Sequence, residues 1–127
     1  MPIRGFAAKR SFLKNHENET LNFLRAISKA VYRMIADKTF SARVIQKVAR
    51  VEDKAIVEAS LDLHTRQFVQ KIFYTTLPMI QTVLRQVAET LPAAQNANPA
   101  DFIENRYIQT LEQRGLYTEL ERTLKQR

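Results

Sequence analysis

Apolar positions recur at helical spacing along most of this chain. Over residues 19–37, Leu21, Leu24, Ile27, Val31, Met34 and Ile35 fall along one side of a helix, and Arg25, Lys29 and Arg33 recur every fourth residue on another side. The spacing predicts a strongly amphipathic helix. A shorter pattern follows over 41–51, with Val44, Ile45 and Val48 apolar and Arg43, Lys47 and Arg50 outward. Asp53 then reads as the N-cap of a third helix carrying Ile56, Val57, Leu61, Leu63 and Phe68.

Residues 67–74 hold aromatic and β-branched side chains without a period and read as a connecting loop. Thr75 or Thr76 caps the next helix, Pro78 fits its first turn, and Ile80, Val83, Leu84, Val87 and Leu91 supply its buried stripe. Pro92 ends it. The stretch 92–98 is a turn-rich connector, and Asn98-Pro99-Ala100-Asp101 starts another helix: a cap, a proline at the first position, then an acid at the positive helix end. Gly115 is the expected C-cap of that helix, after which Leu116, Leu120 and Leu124 mark a last amphipathic turn or two. Residues 3–8 are short and partly apolar, and form either one strand or an extended arm.

The expected fold is therefore mainly α: an array of five or six helices with at most one short N-terminal strand. It forms a single helical unit over 1–127, with the strand or arm at 1–10, helices one to four over 11–91, the connector at 92–98 and the C-terminal helices over 99–127. A chain of 127 residues is long enough to bury a core of its own.

Composition narrows the function classes. Cysteine is absent, which excludes a disulfide scaffold, a thiolate metal site and a cysteine nucleophile. Two glycines leave no room for a glycine-rich phosphate loop or a dinucleotide fingerprint. His16 and His64 are the only histidines, and neither has a ligand-type partner at i+3 or i+4 placed to suggest a metal site. The acid pairs Glu52/Asp53 and Glu119/Glu121 are explained by capping and by polar helix faces. No catalytic constellation emerges, so the expectation is a protein that is not an enzyme and carries neither cofactor nor metal.

Charge is distributed unevenly. Residues 1–54 hold 12 Lys/Arg against 5 acids, whereas residues 55–127 hold 8 of each. The whole net charge of +7 thus lies in the first part of the chain, a pattern that fits an anionic partner or a solvated helix face. Arg25, Lys29 and Arg33, about 6 Å apart along one helix face, form a candidate basic patch with Arg43 and Lys47. No apolar run has the length of a signal-peptide core or of a membrane span, so the chain as written is expected to remain in the cytoplasm.

Five pieces follow one another in a fixed order. They are Gly5-Phe6-Ala7-Ala8-Lys9-Arg10-Ser11-Phe12-Leu13-Lys14-Asn15; the segment 20–37 with Asn22-Phe23-Leu24-Arg25-Ala26 inside it; and Ala49-Arg50-Val51-Glu52-Asp53-Lys54. Then come Tyr74-Thr75-Thr76 leading into Ile80-Gln81-Thr82-Val83-Leu84, and Asn98-Pro99-Ala100-Asp101-Phe102-Ile103-Glu104-Asn105-Arg106-Tyr107 running to Leu111-Glu112-Gln113-Arg114-Gly115-Leu116. This ordered set resembles the C-terminal part of the NitT/TauT-type substrate-binding proteins of ABC importers, which bind nitrate, sulfonates, taurine and thiamine precursors. Lys54 and Pro78-Met79 depart from the family pattern.

The resemblance implies a helical portion of a two-lobed α/β periplasmic-binding-protein fold, with an ABC permease and a small solute as partners of the full-length protein and a periplasmic or extracytoplasmic location. Ligand contacts in that family lie mainly on lobes this sequence does not contain, so no binding residue is carried over and the chain alone is not expected to bind solute. Exposed apolar helix faces would then repack or form a homodimer. The alternative is a small basic helical module that binds nucleic acid or regulates. On the family reading the basic strip is a solvated face, and nucleic acid is not the expected partner.

Overall fold

The computed structural model describes residues 5–67 and 70–125 and is helical, with no strand among those residues. Among the described residues seven α-helices follow one another: α1 (Arg10–Asn15), α2 (Glu17–Ala36), α3 (Lys38–Ala49), α4 (Lys54–Gln67), α5 (Leu77–Val87), α6 (Arg106–Gln113) and α7 (Leu116–Lys125). Two 3-10 turns, Pro92–Asn96 and Pro99–Phe102, separate α5 from α6.

Local chemistry accounts for most boundaries. Asp37 ends α2 and caps α3, its carboxylate accepting from the Phe40 N–H at 3.0 Å, so α3 begins at Lys38, ahead of the 41–51 span that apolar spacing predicts. Asp53 caps α4 as its position implies, accepting from the N–H groups of Ala55 (2.9 Å) and Ile56 (3.2 Å). Gly115 takes φ +80° between α6 and α7, a left-handed turn that a side chain would strain.

One open alternative is settled and one expectation is corrected. Of the two alternatives for the N-terminal piece, the strand does not form over its described part: residues 5–8 belong to no helix or strand and make no backbone–backbone hydrogen bond among the described residues. Residues 3 and 4 of that piece lie outside the described residues, as does Phe68 of the third helix. The helix expected from Pro99 to Gly115 is broken. Asn98 caps a turn only, accepting from the Ala100 N–H at 3.2 Å, and at Ile103 the backbone is extended (φ −111°, ψ 126°). Helix restarts only at Arg106, whose N–H donates to Glu104 Oε1 at 3.0 Å, while the Asn105 side chain at the N-cap bonds a distant partner described below.

The main core gathers Leu21 and Tyr32 of α2, Tyr107, Ile108 and Leu111 of α6, and Leu116 and Tyr117 of α7. Leu13 of α1 and Ile72, Phe73 and Tyr74 of the connecting segment pack against it. A second, smaller core joins Ala42 of α3 to Val57 and Leu61 of α4, with Met34, Ile45 and Val51 at its edge. Helix α5 packs against the two 3-10 turns that follow it.

Several apolar positions placed in buried stripes by periodicity are open to solvent. Val44, Val48, Ile56, Leu63, Val87 and Leu91 are all exposed, Val48 by 78% and Ile56 by 59%. Helices α2, α3, α4, α6 and α7 each bury a narrow row, whereas α1 and α5 bury no residue fully.

Candidate functional site

The five basic residues of the candidate patch divide by their surroundings. Arg25 is half-buried and donates to Asn22 Oδ1 at 2.9 Å. Arg33 pairs with Asp37 at 3.0 Å, and its guanidinium lies 4.7 Å from the centre of the Phe40 ring. Lys29, Arg43 and Lys47 are exposed, with no ion-pair partner among the described residues. Arg43 and Lys47 share one side of α3 with the exposed apolar residues Phe40, Val44 and Val48 beside them. The α3 part of the patch is therefore a mixed basic and apolar face, whereas the apolar spacing sets Val44 and Val48 apart from the outward Arg43 and Lys47.

Polar chemistry concentrates elsewhere, where the segment after α4 crosses α2 and α7. An open groove of about 550 Å³ lies there, lined by Tyr32, Lys71, Ile72, Tyr117, Glu121 and Arg122, among others. At its floor, Glu121 Oε1 accepts from Tyr32 Oη at 2.9 Å and from Lys71 Nζ at 3.0 Å. Lys71 Nζ also stands 5.8 Å from the centre of the Tyr32 ring. These contacts hold the Glu121 carboxyl below its usual value, Lys71 contributing most and Tyr32 next. Burial, then the bond to Glu121, pushes the Tyr32 phenol up to about 12. A second phenol, Tyr74, donates to Glu112 Oε2 at 2.5 Å and is likewise raised to about 12, first by that bond.

Such shifts take these phenols away from neutral-pH proton transfer. The carboxylates accept, the phenols stay protonated, and the outcome is a clamp that fastens residues 71–74 to α6 and α7. Sequence spacing did not find this cluster, because its members are separated by up to 89 residues. The one legible sign was Tyr32 four residues after Ser28, on the row that α2 buries.

The histidines are placed structurally too. His16 meets Glu19 at 3.3 Å and stacks on Phe12, ring centres 4.6 Å apart, at the junction of α1 and α2. His64 is half-buried on α4. Among the described residues, no group of three His, Cys, Asp or Glu side chains converges as metal ligands would, and no helix is long and apolar enough to cross a membrane. Of the two acid pairs, Asp53 serves as a cap and Glu121 as the acceptor of the clamp.

The N-terminal arm is fixed by side chains alone. The Phe6 ring meets Phe23 edge-on at 5.0 Å and Phe73 at 5.9 Å, contacts worth about 0.5–1.5 kcal/mol each beyond area burial. Arg10 donates to the Asp101 carbonyl at 2.5 Å and Tyr107 Oη to the Leu13 carbonyl at 2.6 Å, tying α1 to the C-terminal half. Comparison of the chain with family models, with curated proteins and with solved structures gives no match.

Proposed function

We propose that this chain is the C-terminal helical part of a solute-binding protein serving an ABC importer, of the NitT/TauT type that its ordered sequence pieces resemble. One structural observation supports the reading above all: residues 5–8, outside any helix and without a backbone–backbone hydrogen bond among the described residues, lead directly into helices that leave large apolar side chains exposed. A segment without backbone partners is what a sheet strand becomes without its neighbours, since each free N–H and C=O then turns to water. Exposed Ile56, Leu63, Leu77, Val87 and Leu91 are the complement expected of helices that lie on other layers of a two-lobed α/β body.

On this reading the solute is a small organic or anionic molecule held by the lobes, and the permease is the membrane partner. The helices of this chain contribute stability and surface, and no catalytic step. The clamp of Tyr32, Lys71 and Glu121 serves to order the helical array.

The test is the solution behaviour of the chain by itself. Apolar faces made to be covered bind an environment-sensitive naphthalene dye, and light scattering shows association, including homodimers, as concentration rises. Reading the gene upstream of the Met1 codon should reveal alternating β/α pattern in frame. A chain that stays monomeric at every concentration, leaves the dye dark and unfolds in one cooperative step would sink the proposal.

A further inference from the structure

The outer face of α3 combines three features, and among its apolar residues Phe40 also takes the Arg33 guanidinium against its ring at 4.7 Å. Phe40, Val44 and Val48 stand at i, i+4 and i+8 and are exposed by 40%, 43% and 78%, a stripe about 12 Å long. Arg43 and Lys47 flank the stripe and Arg50 closes it at the C-cap, all three exposed and without ion-pair partners among the described residues. No acid lies within the helix. The carboxylates around it are committed elsewhere: Asp37 to Arg33 and to the α3 cap, Asp53 to the α4 cap, and Asp62 to Lys38 and Arg66. The exposed acids nearby are Glu52 and Asp53, past the helix end, and Glu58 on α4, which pairs with Lys54 at 3.4 Å. The opposite face of α3, through Ala42 and Ile45, is anchored on α4, so this helix is held with its stripe outward.

We propose that the α3 face binds the surface of an anionic lipid bilayer, with Phe40, Val44 and Val48 entering the headgroup boundary and Arg43, Lys47 and Arg50 meeting lipid phosphates. Charge complementarity selects this occupant. A second copy of the chain would bring the same cations against one another. The stripe stands on a single helix, and the two grooves of about 550 and 430 Å³ among the described residues are lined by other elements, which favours a flat surface over a partner helix seated in a groove. Nucleic acid would satisfy the cations and leave Val44 and Val48 in water, whereas a bilayer surface takes both. The proposal rests on α3 alone and is independent of the solute-binding reading.

Co-sedimentation of the full chain with vesicles of phosphatidylcholine, and of equal parts phosphatidylcholine and phosphatidylglycerol, tests it. The chain should bind the anionic vesicles and leave the neutral ones. Each cation near the surface contributes about fivefold, so Arg43→Gln/Lys47→Gln should bind roughly twenty-five-fold more weakly. The charge-matched control Arg114→Gln/Lys125→Gln, on and after other helices, should bind nearly as the parent does. Val48→Ser, at a position too exposed to affect folding, should weaken binding about threefold to tenfold. Circular dichroism verifies that every variant keeps its helix content.

Absence of binding, equal binding to neutral vesicles, or an equal loss in the control pair would overturn the proposal. Indifference to Val48→Ser would overturn it as well, since a purely electrostatic surface, as for nucleic acid, ignores that residue. Loss of vesicle binding would leave the dye and scattering results untouched, so the two proposals fail separately.

Discussion

Asn105 and Thr75 are joined by two hydrogen bonds that run in opposite directions: the Thr75 N–H donates to Asn105 Oδ1 at 2.9 Å, and Asn105 Nδ2 donates to the Thr75 carbonyl at 2.8 Å. The side-chain amide pairs with a backbone peptide as a neighbouring strand would. It closes residues 76–104, with α5 and both 3-10 turns, into an excursion whose two ends meet. Replacing it by alanine leaves both groups of a half-buried peptide without partners. Asn105→Ala should therefore lose about 1–3 kcal/mol, read as a lower urea midpoint at unchanged slope. The Thr75 amide should also exchange its hydrogen faster. An unchanged midpoint would show that the excursion is held by other contacts.

Ser28 and Tyr117 form the most deeply buried polar contact, with their oxygens 3.0 Å apart between α2 and α7. Among the described residues no buried side-chain nitrogen or oxygen lacks a partner, and this pair is one reason. Tyr117→Phe strands the Ser28 hydroxyl, at a cost of about 1–3 kcal/mol. Adding Ser28→Ala should recover part of that loss, so the double variant is more stable than the sum of the singles predicts. Strict additivity in chemical denaturation would mean that the two hydroxyls do not depend on each other.

Tyr32 makes the fold sensitive to alkali. Its folded phenol is raised to about 12 by burial and by Glu121, from an ordinary value of 10.0. The folded state thus holds a proton that the unfolded chain releases first. The associated stability is complete below the ordinary value and fades as pH climbs from there toward about 12. Glu121→Gln removes the charged acceptor and leaves the burial, so Tyr32 should then ionise at lower pH while remaining above its ordinary value. Absorbance titration of tyrosinate in parent and variant checks this, and superimposable curves would contradict it.

Gly115 joins α6 to α7 at φ +80°, with open space where a Cβ would stand. The cost of Gly115→Ala is therefore conformational and not steric, about 1 kcal/mol. Thermal unfolding should show a drop of a few degrees. Gly115→Asn should lose less, because asparagine tolerates the left-handed region better than alanine.

How far the sequence leads is clearest at the helix junctions. Asp53 and Gly115 were legible because capping depends on a few adjacent residues, whatever the rest of the chain does. Asp37 was equally local, yet apolar spacing drew attention to Ser41 instead, and α3 begins earlier than that spacing predicts. The break before Arg106 was out of reach. Asn98-Pro99-Ala100-Asp101 is a sound helix start, and nothing nearby warns that Asn105 is claimed by Thr75, thirty residues upstream.

By itself, the sequence determined the helical class, the position of most helices and the concentration of charge in the first 54 residues, because periodicity, capping and composition act over one or two turns. Tertiary structure decided which apolar residues are covered. Val57 and Val48 look alike in the sequence, yet one lies between α3 and α4 and the other faces water. Burial is a relation between segments distant in sequence, and periodicity within one helix says only that a face exists, not that anything is there to meet it.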